Sequence, residues 1–93
     1  MTDEVQSEQP LPGPMKGPAL MIEQIAKALV EAPDQVIVDE YEDGGETVVE
    51  LEVAEGDLGK IIGRHGRTAK ALRSLLSATG VRTNKRYDLE ILE

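Results

Sequence analysis

The sequence has 93 residues, of which 18 are acidic and 10 basic, giving a formal net charge of -8, with no cysteine and a single histidine. That length suits one domain whose core is only just large enough to fold. It leaves no room for disulfides or thiolate metal sites, and His65 alone cannot build a histidine metal cluster, so neither a metal nor another cofactor is expected.

Residues 1–17 mix proline, glycine, Gln, Ser and acids without period 2 or period 3.6, and read as a disordered acidic leader ahead of a domain at 18–93. The opening MTDEVQSEQP lacks a basic n-region and no apolar h-region follows it. No run approaches the roughly 18 apolar residues that span a bilayer. A cytoplasmic protein without membrane attachment is the expectation.

Pro18 suits a first helical position, and Met21, Ile22, Ile25, Leu29 and Val30 recur at helical spacing before Pro33 ends the run, which places a helix over Pro18 to Glu31. Leu20, Ala28 and Val30 widen its apolar surface beyond one stripe, which is compatible with a dimer surface and equally with core burial. Two β-type segments follow, QVIVDEYE and ETVVELEVAE, joined by Asp43, Gly44 and Gly45, which supply the positive φ of a tight hairpin. In the second of them Val49, Leu51 and Val53 alternate with Glu50 and Glu52, so one face is buried and the other wet and acidic.

From Asp57 the period becomes helical. Asp57 is placed to cap a short turn, LGKII, which Gly63 interrupts; a longer helix then carries Ala69, Leu72, Leu75, Leu76 and Thr79 on one stripe until Gly80 closes it. After the loop VRTNK, the strand RYDLEIL sets Tyr87, Leu89 and Ile91 against Asp88 and Glu90, and Lys85 and Arg86 stand within reach of the hairpin acids. The order α-β-β-α-α-β implies an α/β (α+β) two-layer sandwich, a three-stranded sheet with helices on one face. Its open face would show Glu50, Glu52, Asp88 and Glu90 and repel phosphates.

Charge is divided along the chain. Residues 1–57 hold 2 basic and 15 acidic side chains, whereas residues 58–93 hold 8 basic and 3 acidic. Such asymmetry points to an anionic partner for the basic part; opposite patches that neutralise each other within the fold are the alternative. The basic part is centred on IIGRHGRTAKAL, Ile61 to Leu72. A short helix, a break with glycine at both ends, then a second helix would bring the free amide N–H groups and positive dipole end of that helix beside Arg64 and Arg67. Such a loop can hold a phosphodiester backbone.

The segment GKIIGRHGRTAKALR resembles the signature of the KH domain: an apolar pair, a GxxG loop with basic middle residues, and an amphipathic helix. With the helix and hairpin ahead of the motif and one strand after it, the arrangement resembles the type II KH domain, and over residues 18–93 the chain is similar to the small single-domain KhpA family. The resemblance implies that Gly63, Arg64, His65 and Gly66 contact the backbone of about four unpaired nucleotides of single-stranded RNA. It implies that Ile61 and Ile62 belong to the groove, one of them turned to the core, and that Lys60, Arg67, Lys70 and Arg73 add phosphate contacts. The loop Val81 to Lys85 would form the groove's far wall. It further implies a homodimer, or a heterodimer with a KhpB-like KH protein, acting as an RNA chaperone or post-transcriptional regulator linked to cell shape and cell-wall homeostasis.

Other functions fit the residues less well. A nucleotide-binding P-loop needs Lys and then Ser or Thr after its last glycine, where Arg67 stands, and the acids alternate along strands as a solvated face would, so no enzyme is expected. A helix-turn-helix DNA reader needs polar base-reading side chains where AKALRSLLSA is mostly small and apolar. A protein-interaction module with little RNA binding of its own remains open. An RNA-reading sheet of the RRM type would need exposed aromatics on strands that carry acids instead.

Overall fold

The computed structural model describes residues 17–93, so the leader lies outside the described residues except for Gly17, which opens the first helix. The elements are α1 (Gly17–Leu29), β1 (Ile37–Asp43), β2 (Glu46–Glu52), α2 (Leu58–Ile62), α3 (Arg67–Thr83) and β3 (Tyr87–Ile91), in the expected order. β1 and β2 form an antiparallel hairpin in which Asp43 faces Glu46, and Gly44 and Gly45, at φ 60° and 88°, make the two-residue turn that suits the twist of its strands. β3 returns beside β2 and parallel to it, so the sheet order is β1-β2-β3. A parallel return requires a crossover. Helices α2 and α3 are that crossover, and their joint is the basic loop.

The period-2 pattern of β2 buries Thr47, Val49 and Leu51 under the helices. Val49 and Leu51 pack with Ala19, Ile22 and Ala26 of α1, Val38 of β1, Ile61 of α2, Leu72 and Leu76 of α3, and Leu89 of β3 in one core. Burying a side chain such as Ile61 stabilises the fold by about 1.5–3 kcal/mol, so the short α2 is anchored by its apolar residue rather than by its length. On the open face Val48 is buried nonetheless. Tyr41 stands directly opposite it and donates from its hydroxyl to Glu90 Oε1 at 3.2 Å, which lays the tyrosine across the centre of that face.

Several expectations are corrected by the packing. Gly80 does not end α3; the helix continues to Thr83, and Gly80 is buried within it because a Cβ there would run into the backbone carbonyl of Lys85 and lie 3.2 Å from the Tyr87 ring. The left-handed residue that stops the helix is Asn84, at φ 57°, the residue type that serves this position when glycine does not. Consequently Val81 to Thr83 are helical and the expected loop Val81 to Lys85 contracts to Asn84–Arg86. Leu75, placed on the buried stripe by spacing, is 47% exposed at the margin of α3.

Asp57 makes no side-chain cap on α2. Its carboxylate, 4% exposed, accepts instead from the N–H of Glu31 at 3.1 Å and of Ala32 at 3.0 Å, tying the turn after α1 to the start of α2. Asp57→Ala is expected to cost about 1–3 kcal/mol, because it removes the acceptor of two part-buried amide donors. Urea unfolding would show a lower midpoint with an unchanged slope, and Asp57→Asn, which keeps an acceptor, would recover part of the loss. By contrast, deleting residues 1–17 is expected to move the melting temperature by less than about 2 °C, since a segment of that composition has little apolar surface to bury.

Candidate nucleic-acid interface

The helix-to-helix joint is built by backbone geometry that glycine permits. Gly63 ends α2 at φ 78°, ψ 169°, while its N–H still donates to Gly59 C=O at 2.8 Å. A Cβ on Gly63 would lie 2.6 Å from Thr68 Cβ and 2.8 Å from Thr68 N, so no other residue fits. Beyond it, His65 (φ 58°, ψ 25°) and Gly66 (φ 72°, ψ 12°) are both left-handed, which makes Arg64 to Arg67 a type I′ turn closed by the Arg67 N–H on Arg64 C=O. The Gly66 N–H donates to Gly63 C=O at 3.0 Å. Among the described residues the N–H groups of Arg64 and His65 meet no backbone carbonyl. Adjacent unpaired N–H groups in a turn of this handedness form an anion-binding concavity, and the α3 N-terminus begins at its rim.

His65 is a non-glycine residue held left-handed, a conformation that costs about 1–2 kcal/mol. Strain of this size is retained where the surroundings fix it, and such positions cluster at ligand clamps. Arg64, His65, Arg67 and Lys70 are all exposed around the turn, and among the described residues Arg64, Arg67 and Lys70 pair with no carboxylate.

The other expected site residues separate from this group. Ile61 is wholly buried and touches the core, while Ile62 stays half-buried beside the turn. Lys60 is held 3.8 Å from Asp57, which weakens it as a free cation. Arg73 is not a loose helix-surface charge, because its Nη2 donates to Leu89 C=O at 3.3 Å across the gap between α3 and β3. Arg86 pairs with Glu46 at 3.6 Å, the hairpin contact expected for it.

The open sheet face has the opposite sign. Strand register places Asp39, Glu50 and Glu90 in one row and Asp88 beside Val48 and Tyr41 in the next. Burial first, then the Glu90 hydrogen bond and the charges of Glu90, Glu50 and Asp43, push the Tyr41 hydroxyl above its usual 10.0. A raised tyrosine favours the neutral phenol in the folded state, so its stabilising contribution is complete below about pH 10 and is lost as pH rises through the folded value. An absorbance titration of the phenolate is expected to place Tyr41 above the ordinary tyrosine value of 10.0. A cleft of about 730 Å³ lies at the far end of α3, but Glu42 and Glu46 line it beside Lys85 and Arg86, a mixture poorly suited to phosphate.

The turn and α3 thus stand beside β3, an edge strand bridged to α3 by Arg73, and among the described residues Arg64, Arg67 and Lys70 at the turn pair with no carboxylate. The family model described as KhpA/KhpB, KH domain, matches residues 19–91. The chain belongs to the KhpA/KhpB family of KH domains. Its similarity to curated relatives is high over most of its length. The RNA-binding protein KhpA of Halalkalibacterium halodurans is 47% identical over 73 residues, 78% of this chain and 96% of the relative. The RNA-binding proteins KhpA of Borreliella burgdorferi and Aquifex aeolicus are each 48% identical over 73 residues, covering 78% of this chain and 89% and 92% of theirs. The turn Gly63 to Gly66 lies within the matched residues and reads GRHG, with a glycine at each end. The long-range partners of Asp57 and Arg73 are what sequence reasoning missed, since neither leaves a local pattern.

Proposed function

We propose that this KH domain binds single-stranded RNA without catalysis, with the sugar-phosphate backbone seated on the Gly63 to Gly66 turn and the bases directed into the groove between α3 and β3. The observation that carries the reading is the pair of N–H groups at Arg64 and His65 that meet no backbone carbonyl among the described residues, surrounded by Arg64, Arg67 and Lys70. Backbone donors orient the phosphate and the arginines supply charge. The three cations at the turn that pair with no carboxylate among the described residues predict a modest, salt-sensitive affinity, falling with a log–log slope of about 0.7 per phosphate neutralised.

A weak single groove gains from a second one held nearby, because linkage raises effective concentration. This supports a functional unit of two KH domains, a homodimer or a pair with a KhpB-type protein, working as an RNA chaperone or post-transcriptional regulator with a role in cell shape and wall homeostasis. Support for that biology is the family resemblance alone.

Binding of short single-stranded RNA and of duplex DNA across a salt series tests the reading. Preference for the single strand, with the slope of a few phosphates, is the expected result. Preference for duplex DNA would favour a helix-turn-helix mode, and no binding of either would favour a protein-interaction module.

A further inference from the structure

The sheet has two edges. β3 lies beside α3 and the turn, whereas β1, at the other edge, has no strand on its outer side among the described residues. In β2, Thr47 N–H donates to Arg86 C=O at 2.8 Å and Leu51 C=O accepts from Leu92 N–H at 2.9 Å, so the backbone groups of Thr47 and Leu51, and by alternation those of Val49, turn toward β3. Their partners across the hairpin, Glu42, Val38 and Glu40, are therefore the non-hydrogen-bonded pairs of the antiparallel ladder, and direct their N–H and C=O outward. Among the described residues none of the three makes a backbone bond on that side. A row of such groups is a template for a further strand.

Sheet edges are commonly protected by lysine, proline, a bulge or a short strand. β1 runs for seven residues in unbroken register with β2 and contains neither lysine nor proline. It carries Asp39, Glu40, Glu42 and Asp43 instead, all exposed and none in a salt bridge among the described residues. One oxygen of Glu42 accepts from Thr47 Oγ1 at 2.9 Å, which leaves the other for a further donor. Like charges directly opposite each other destabilise a strand pair and opposite charges stabilise it. Two copies of β1 paired antiparallel about Glu40 would set that carboxylate against itself, so the edge rejects a second copy of this chain. A basic strand turns the same guard into an attraction.

The register adds a pattern. Ile37 and Tyr41, 52% and 41% exposed, interrupt the acids on the open face, and Val38 interrupts them on the helix face. From Asp43 back to Ile37, an antiparallel neighbour meets its best partners with two basic residues, one apolar, two basic and two apolar. We propose that β1 is a docking edge for a lysine- or arginine-rich extended segment of a partner protein, added to the sheet as a fourth strand. Main-chain bonds to Val38, Glu40 and Glu42 supply affinity, and the carboxylates on both faces supply specificity. Because β1 and β3 are opposite edges, the segment leaves the turn between α2 and α3 uncovered. The inference goes beyond the RNA-binding reading and does not depend on it.

The test uses the full chain and a fluorescent heptapeptide with that pattern, KKVKKVI. Saturable binding by anisotropy is expected, with amide shifts in an NMR titration concentrated at Val38 to Asp43 and the Arg64 and His65 amides unmoved. The charge-reversed peptide EEVEEVI is expected to bind at least about tenfold more weakly. N-methylation of the second, fourth and sixth residues of KKVKKVI, which lie opposite Glu42, Glu40 and Val38, keeps every charge and removes the ladder donors; a loss of about tenfold or more is expected. Asp39→Lys combined with Glu40→Lys changes two exposed side chains, and is expected to melt within a few degrees of wild type and to weaken KKVKKVI about tenfold. Equal binding of the N-methylated peptide would reveal diffuse attraction to a chain of net charge -8 and overturn the proposal, as would shifts confined to other elements. A dimer in sedimentation equilibrium that Glu40→Lys dissolves would give the edge to a second copy and overturn it as well.

Discussion

Replacing Arg64 and His65 together by aspartate is expected to weaken single-stranded RNA binding by about 100-fold while leaving the melting temperature within a few degrees of wild type. Both side chains are exposed and neither enters the core, so the folded state has little to lose. The left-handed backbone at position 65 tolerates aspartate better than most residues. Binding loses more than one favourable charge: two carboxylates would stand over the concavity formed by the Arg64 and His65 N–H groups and repel the phosphate seated there. Two lost contacts at about 1.4 kcal/mol each already give the factor of 100, and repulsion adds to it. The remaining affinity is expected to show a shallower salt dependence, since fewer phosphates are neutralised.

The two glycines of the loop are expected to respond very differently to alanine, although the motif treats them alike. Gly63→Ala places a methyl 2.6 Å from Thr68 Cβ and 2.8 Å from Thr68 N, at φ 78° and ψ 169°, where only glycine is at ease. The clash involves backbone and a β-branched side chain, so no small rotation relieves it. A cost of about 3 kcal/mol or more follows from strain and displaced packing together, with α2 and α3 re-aimed and RNA binding lost. Gly66→Ala meets no atom within 4 Å and carries only the left-handed penalty, about 1–2 kcal/mol, so it is expected to fold and to retain measurable binding. Equal effects of the two substitutions in urea unfolding would contradict this division of roles.

The parts of the fold that the sequence made legible are those set by local pattern. Alternation in β2 and β3 separated the core face from the acidic face, the Asp43 to Gly45 stretch marked the hairpin, and the apolar spacing of α3 found Ala69, Leu72 and Leu76. Glycine was the ambiguous letter. Gly80 reads as a helix stop, yet its role is to let the Lys85 carbonyl and the Tyr87 ring approach, which depends on residues met only after the chain has turned. Asp57 sits where a helix cap belongs, but its partners Glu31 and Ala32 lie 26 and 25 residues away. The same distinction applies to the site: the loop residues were legible as a contiguous motif, whereas the binding of Arg73 to Leu89, 16 residues on, needed the sheet order that makes β3 an edge.

The charge pattern acquires a physical meaning in the fold. Asp39 of β1, Glu50 and Glu52 of β2, and Asp88 and Glu90 of β3 share one face, and the row Asp39, Glu50 and Glu90 sets like charges side by side at some cost to the sheet. Their presence there denies phosphates a second place to settle. Repulsion over a Debye length of roughly 8 Å at physiological salt is part of the proposed reading, in which phosphates land on the turn between α2 and α3.

The central claim is therefore one of location, and an NMR titration of the backbone amides with a short single-stranded RNA tests it most directly. The account predicts that shifts concentrate at Ile62 to Lys70 and along the open edge of β3, with the Arg64 and His65 amides moving most and Asp39, Glu50 and Val48 unmoved. Shifts centred on the outer sheet face, or spread evenly with the Arg64 and His65 amides unaffected, would contradict it.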